Sequence, residues 1–534
     1  MTELFLTGES GSMMPVTFDG CFGWFHPASS GRAGAAVLLC PGASQDFSNG
    51  YRPFRLLAAR LAEAGYATLR FDYPGTGDSA EPGSANLWAA WQESITKAAS
   101  WLSAHVGTER LVLIGLRIGG TLAAMAAAQR GDVAGLALIE PCMTGRSYVS
   151  QLVTEARLRG AQQPDGSIEV GELHFTPECL EQMRGVELAR FALPPAPPVS
   201  VFSRAPQKAE ARLADWQERD IKLSCGDIGG LDAMLRPSHH SGEPELEPAP
   251  LLDWLRRAVP PGATPRYTGR PLLGPAILNL PGCVETPLHF GDSGHLTGML
   301  CRPALDRAPG FAMIICNAGG NPRHGFARFG VECARALARA GFASLRFDFA
   351  GLGDSIHDRD GADLQTDPFT EDRMADISAA LNALEELRFG RFALHGLCSG
   401  AYHALHGACA DPRVTMLLAV NLPWFSLQHE RPGPRSVAQG CVDRLAVRGT
   451  ASLFLFGDKD PGLKPFERHF GTGGSLLPAS SAIRFCTVSG LDHELTAGWM
   501  RRAVAARIIN FIREPLGGNP PHNSAQERAP HDHP

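Results

Sequence analysis

The chain nearly quotes itself. LAEAGYATLRFDYPGTGDS, ending at Ser79, returns as LARAGFASLRFDFAGLGDS, ending at Ser355, which sets Asp72 and Asp348 276 residues apart. Solenoid and propeller units repeat every ~20–50 residues, so a period this long is one whole domain copied or fused. Length agrees, because a single hydrophobic core stops growing at roughly 250–300 residues and this chain has 534. Two related domains are therefore expected, over residues 1–259 and 283–515. The Pro/Gly-rich stretch 260–282 reads as a linker and 516–534 as a disordered tail with almost nothing to bury.

Each copy carries the same order of parts. In the first, Ala35–Cys40 (AAVLLC) is an unbroken apolar run of strand type, Arg55–Gly65 has helical spacing stopped by Gly65, and ATLRFDY is again a strand. LVLIG then enters a helix of small residues, and GLALIE follows. The second copy runs FAMIICN, CARALARAGF, ASLRFDF, FALHG, a helix from Ser399, TMLLAVN and ASLFLFG. Strands alternating with helices predict a mainly parallel sheet flanked by helices in each copy. Between GLALIEP and PVSVFSR the first copy inserts Cys142–Pro198, where a lid would sit; the matching insertion in the second copy, Leu422–Thr450, is shorter.

Composition excludes several classes. A net charge of −6 without a long basic run leaves no nucleic-acid footprint, and no apolar stretch approaches the ~18 residues that span a bilayer. The N-terminus lacks a basic start followed by an apolar core, so a cytoplasmic location is expected. The 13 cysteines are scattered without CxxC pairs or histidines at ligand spacing, which favours neither a disulfide framework nor a metal site; no cofactor is expected.

Chemistry concentrates in the second copy. The strand FALHG runs into Gly396-Leu-Cys-Ser-Gly400, the nucleophile-elbow pattern G-x-Nu-x-G with cysteine as nucleophile. Such a turn strains the nucleophile's backbone, and the glycines keep side chains out of the close strand-helix contact. A sulfur at a helix N-terminus is also favoured as thiolate by the unpaired amides there. Downstream, ASLFLFGDKD puts Asp458 and Asp460 just past a buried strand, and FCTVSGLDHELT puts His493 past another. Nucleophile, acid and histidine thus follow in the chain order of the α/β-hydrolase fold. His493 is expected to move the proton and Asp460, preferred over Asp458, to orient the imidazole. The oxyanion donors expected are the Ser399 amide and the amide of Gly319, or its neighbour Gly320, in the loop NAGGN. Arg323 and His324, just beyond, are candidates for meeting an anionic part of a substrate. The duplicated F-D-x-x-G-x-G-D-S segment lacks the lysine and spacing of a phosphate loop and reads as a structural turn.

The first copy breaks this pattern. Its elbow is G-L-R-I-G, with Arg117 in the nucleophile position, and arginine cannot deprotonate to attack an acyl carbon. No aspartate follows PVSVFSR in the expected place, and His239 or His240 is only a loose positional match. Two roles stay open for Arg117: binding a carboxylate or phosphate, or satisfying buried carbonyls.

These residues resemble the paired α/β-hydrolases associated with bacterial exosortase A and exopolysaccharide gene clusters. The GLRIG elbow is similar to their type-two members; RFDFAGLGDS, GLCSGA and DPRVTMLLAVNLPW are similar to their type-one members. Two departures stand out: type-one members carry an acidic residue where this chain has Ser399, and the two types usually occur as separate proteins. The resemblance implies hydrolase chemistry without naming a substrate. The expectation is two tandem α/β-hydrolase domains, the first without a nucleophile and the second a cysteine hydrolase. Its substrate would be a small-molecule ester or thioester, free or carrier-bound. An acyltransferase using the same triad and a non-catalytic binding or scaffold protein are the rival readings.

Overall fold

The computed structural model describes residues 13–29, 34–84, 86–194, 197–235, 246–261, 275–305, 310–355, 373–423 and 437–514. It divides into two compact units, Met1–Leu278 and Asn279–Pro534. The expected tail, 516–534, and the histidines at 239 and 240 lie outside the described residues.

The first unit contains β1 (Met14–Phe18), β2 (Cys21–His26), β3 (Ala36–Cys40), β4 (Ala67–Phe71), β5 (Leu111–Leu116), β6 (Val133–Ile139), a hairpin of β7 (Ile168–Val170) and β8 (Leu173–Phe175), β9 (Val199–Phe202) and β10 (Leu223–Gly226). Its main sheet runs β1-β2-β4-β3-β5-β6-β9-β10, antiparallel at the β1 end and parallel from β4 onward. Strands β3, β5 and β6 are apolar throughout because helices cover both faces. Successive side chains of β3 divide accordingly: Ala36, Leu38 and Cys40 enter one core, Val37 and Leu39 the other.

Helix ends follow local chemistry. Helix Leu87–Val106 starts where the Asn86 side chain accepts from the Ala89 amide and stops at Gly107, which is left-handed at φ 74°. The segment read as a lid folds as helix Gly145–Leu158, the β7–β8 hairpin and helix Pro177–Arg184.

The second unit contains β11 (Leu278–Leu280), β12 (Cys283–Phe290), β13 (Leu296–Pro303), β14 (Phe311–Cys316), β15 (Ala343–Asp348), β16 (Arg391–Leu397), β17 (Val414–Val420), β18 (Ala451–Gly457) and β19 (Ile483–Val488), hydrogen-bonded in the order β11-β12-β13-β15-β14-β16-β17-β18-β19. β11 falls within the stretch read from the sequence as linker. The apolar runs at this point are interrupted by Pro and Gly, which hides a short edge strand.

The duplicated segment is the same device in both units. Asp72 and Asp348 accept from the amides of Asp78 and Asp354, at 2.9 and 3.0 Å. Ser79 and Ser355 hydroxyls bind the carbonyls of Asp72 and Asp348 and accept from the amides of Phe22 and Thr297, each at 2.9 Å. Gly77 and Gly353 sit at φ 48° and 46°, and a Cβ on either would lie within 2.3 Å of the aspartate side chain.

The shared arginine of LRF is treated differently in each unit. Arg70 lies over the rings of Trp24 and Tyr51 and donates to His26. Arg346 instead meets Glu285 at 2.7 Å, together with Arg335 at 2.8 Å, all three buried. Burial opposes the Glu285 charge, but the two guanidiniums outweigh it and hold its carboxyl down at about 2. Removing one partner of a buried pair strands the others, so Glu285→Gln should cost about 3–5 kcal/mol, read as a drop in the denaturation midpoint of the full chain. Because the folded value lies below the ordinary 4.5, the stabilisation from Glu285 should be complete above about pH 4.5 and disappear as pH falls toward 2. A Glu285→Gln chain as stable as the parent at pH 7 would contradict this.

Candidate active site

β16 ends at Leu397, and Cys398 turns the chain at φ 54°, ψ −129° into helix Ser399–Ala410. The strained backbone is held at both sides. The Cys398 amide donates to the Val420 carbonyl at 3.1 Å, and its carbonyl accepts from the Ala401 amide at 2.9 Å. The flanking glycines have no alternative: a Cβ on Gly396 would lie 2.1 Å from the Gly400 backbone, and one on Gly400 would lie 2.6 Å from the Asn317 carbonyl. The elbow thereby presents the sulfur, partly exposed, at a helix N-terminus.

Asp460 is buried past the end of β18. One carboxylate oxygen accepts from the Gly462 amide at 2.7 Å and the other meets His493 Nδ1 at 2.6 Å. That contact puts the Nδ1 proton toward the acid and leaves Nε2 for chemistry. Burial works against a charged His493, but hydrogen bonds to Asp460 and to Cys398 overcome it and raise the imidazole to about 10. Cys398, His493 and Asp460 thus meet, although each follows a different strand of the sheet.

Asp458 points elsewhere, accepting from the Ser489 hydroxyl at 2.9 Å and the Gly490 amide at 2.8 Å. Asp492, next to the histidine, caps the turn through the Thr496 amide and hydroxyl. His403 is buried against Phe349, and His406 packs on Tyr402, so neither joins the cluster.

One participant is absent from the sequence reading. Asn421, fully buried at φ 47° just past β17, donates to the carbonyls of Asp492 and His493 at 2.9 and 3.1 Å and accepts from the Gly457 amide at 2.9 Å. It ties the loop bearing the histidine to the strand that delivers the acid. Its position immediately after a buried strand was the available signal.

The oxyanion side differs from expectation in detail. Gly319, at φ 56°, donates its amide to the Ser399 hydroxyl oxygen at 2.6 Å. The loop is fixed by Asp348, which accepts from the Arg323 amide at 2.5 Å and from the Asn317 side chain at 3.3 Å. The expectation that Arg323 and His324 meet a substrate anion gives way here. Arg323 is wholly buried, with one guanidinium nitrogen 2.7 Å from both Asp348 and Asp354, so its charge is consumed inside the fold. His324 is only 3% exposed.

In the first unit the elbow is superimposable in conformation, with Arg117 at φ 53°, ψ −120°. Glu140 stands where the second unit has Asn421: its amide bonds Phe202 as that of Asn421 bonds Leu455, and its carboxylate accepts from the Arg204 amide at 2.9 Å as Asn421 accepts from Gly457. Three residues past Gly457 is Asp460; three past Arg204 is Gln207. Arg117 and Gln207 therefore stand where the second unit has Cys398 and Asp460.

A family model described as the α/β hydrolase fold matches residues 35–169, within the first unit. No curated protein matches the chain. Similar solved structures include the dienelactone hydrolase from Anabaena variabilis, at 16% identity over 43% of this chain and 98% of that one, TM-score 0.34. Est1E from Butyrivibrio proteoclasticus matches at 16% identity over 43% and 99%, TM-score 0.32. XC6422 from Xanthomonas campestris, an α/β serine hydrolase, matches at 18% over 43% and 94%, TM-score 0.32. The fold class is α/β hydrolase. Among the described residues no helix is long and apolar enough to cross a membrane.

A cationic imidazole against a sulfur is the setting in which thiols react fastest. Iodoacetamide at pH 6–7 should therefore label Cys398 ahead of the other cysteines, most of which are buried. His493→Ala should slow that labelling at least tenfold, as followed by peptide mass spectrometry. Unchanged labelling in the variant would separate His493 from the sulfur.

Proposed function

We propose that the second unit is a cysteine hydrolase that cleaves an ester or thioester through an acyl-enzyme. One arrangement supports the reading above all: Cys398 on a strained elbow, hydrogen-bonded to an imidazole that Asp460 holds at 2.6 Å. The resemblance to exosortase-associated hydrolases agrees with an acyl group drawn from polysaccharide or lipid metabolism.

The Cys398 thiolate attacks the acyl carbon, and the C–O or C–S bond to the leaving group breaks as His493 gives up its proton to that group. Water then attacks the thioester, its proton passes to the neutral imidazole, and the carbon–sulfur bond breaks to regenerate the sulfur. Asp460 stabilises the charged imidazole at each stage. The tetrahedral oxyanion meets the Ser399 amide. It also meets the Ser399 hydroxyl, whose oxygen is occupied as acceptor by Gly319 and whose proton is free to be donated. Gly319 then acts by orienting that hydroxyl.

Intact-mass measurement after brief exposure to aryl esters and acyl thioesters should show one added acyl group in the parent chain and none in Cys398→Ala. No adduct across the panel would overturn the proposal. Acylation should fall as pH rises through about 10, where His493 loses its proton. Ser399→Ala should lower kcat about a hundredfold with little change in KM, since a lost oxyanion donor costs roughly 10²–10³ in rate. A variant as fast as the parent would mean that the hydroxyl only caps the Gly319 amide.

A further inference from the structure

The first unit has lost its nucleophile but not its pocket. A cavity of about 240 Å³ lies over Arg117, walled by the helix Gly145–Leu158 on one side and the helix Pro206–Arg212 on the other. Arg117 is poorly satisfied by the protein. Its contacts to Asp46 Oδ2, the Glu140 carbonyl and Gln151 Oε1 are 3.3, 3.5 and 3.4 Å long, none paired into a fork, and 19% of its side chain stays open. Burial raises the Asp46 carboxyl against the pull of Arg117, its ion-pair partner at 3.3 Å.

Two more cations line the same cavity. Lys208 and Arg212 stand one turn apart, both exposed, and neither makes an ion pair among the described residues. Like charges at this spacing repel along a helix, so a shared counter-ion would relieve them. The remaining titratable lining is neutral or engaged. Burial holds the Tyr148 phenol far above its ordinary range and pushes the Cys142 thiol up to about 12, so both keep their protons. Glu140, the one carboxylate among the lining residues, accepts from the Arg204 amide at 2.9 Å and meets its guanidinium at 3.5 Å. Ser147 and Ser203 add hydroxyls.

We propose that this cavity binds a phosphorylated small molecule, its phosphate seated on Arg117 and closed over by Lys208 and Arg212. With Asp46 set against Arg117, the two positive charges of Lys208 and Arg212 remain, of which a carboxylate would neutralise one. A phosphate, with about two charges and three acceptor oxygens, matches both and can also take the lining hydroxyls. Every residue lining this cavity belongs to the first unit, so the proposal does not rest on the role given to Cys398.

Calorimetric titration of the full chain with pyrophosphate, inorganic phosphate and succinate tests this. The phosphates should bind, with succinate at least tenfold weaker. Arg117→Ala and the surface double variant Lys208→Ala/Arg212→Ala should each weaken pyrophosphate at least tenfold. Acyl-adduct formation at Cys398 in the same variants should be unchanged, which reports an intact chain and separates this result from the fate of the hydrolase reading. Absence of phosphate binding at millimolar concentration, equal binding by the double variant, or tighter binding of succinate would each overturn the proposal.

Discussion

Everything at the candidate active site depends on how closely three backbone segments approach at the elbow. The strand before residue 398, the helix after it and the end of β14 meet with no room for a side chain at Gly396 or Gly400. The same contact recurs around Arg117, where a Cβ on Gly119 would lie 2.0 Å from the Pro41 carbonyl. This packing forces the residue between the glycines into positive φ and projects its side chain from a helix N-terminus. The scaffold therefore fixes where a group stands before it fixes which group it is. That is why two units with the same elbow can present a thiol in one case and a guanidinium in the other.

Around that elbow, buried polar groups do the positioning. Asp348 gathers the Arg323 amide and guanidinium, the Asn317 side chain and the Asp354 amide, and so holds the loop that delivers Gly319. Asn421 does the corresponding work for the acid and histidine loops. A buried carboxylate or amide with every lone pair used is costly to disturb, because each partner would be left unsatisfied in a low dielectric. The loops of the candidate site are in this way tied to the strands beside them.

Divergence between the units follows the same logic. Where Asn421 bonds neighbouring carbonyls, Glu140 adds a charge answered by Arg204. Where Asp460 would fall stands Gln207, in the helix Pro206–Arg212, whose Lys208 and Arg212 line the cavity. The position that carries Asp460 in one unit thus opens, in the other, onto a helix whose Lys208 and Arg212 line a cavity with Arg117.

The sequence by itself determined the duplication, the alternation of strands and helices, the elbow, and the order of cysteine, acid and histidine. These are written in periodicity, glycine spacing and chain order, all local properties. It also favoured Asp460 over Asp458, but two carboxylates two residues apart past one strand differ only in which way the turn aims them. The Asp460–His493 contact exists through loops brought together across the sheet edge. Arg323 and His324 read as candidates for a substrate anion because nothing nearby in the chain answers their charge; the carboxylates that bury Arg323 come from β15 and the turn after it. The contacts of Asn421, the Gly319–Ser399 hydrogen bond and the meeting of Lys208, Arg212 and Arg117 in the lining of one cavity were decided by tertiary structure. Each joins groups far apart in the chain, and only the assembled sheet sets the distance between them.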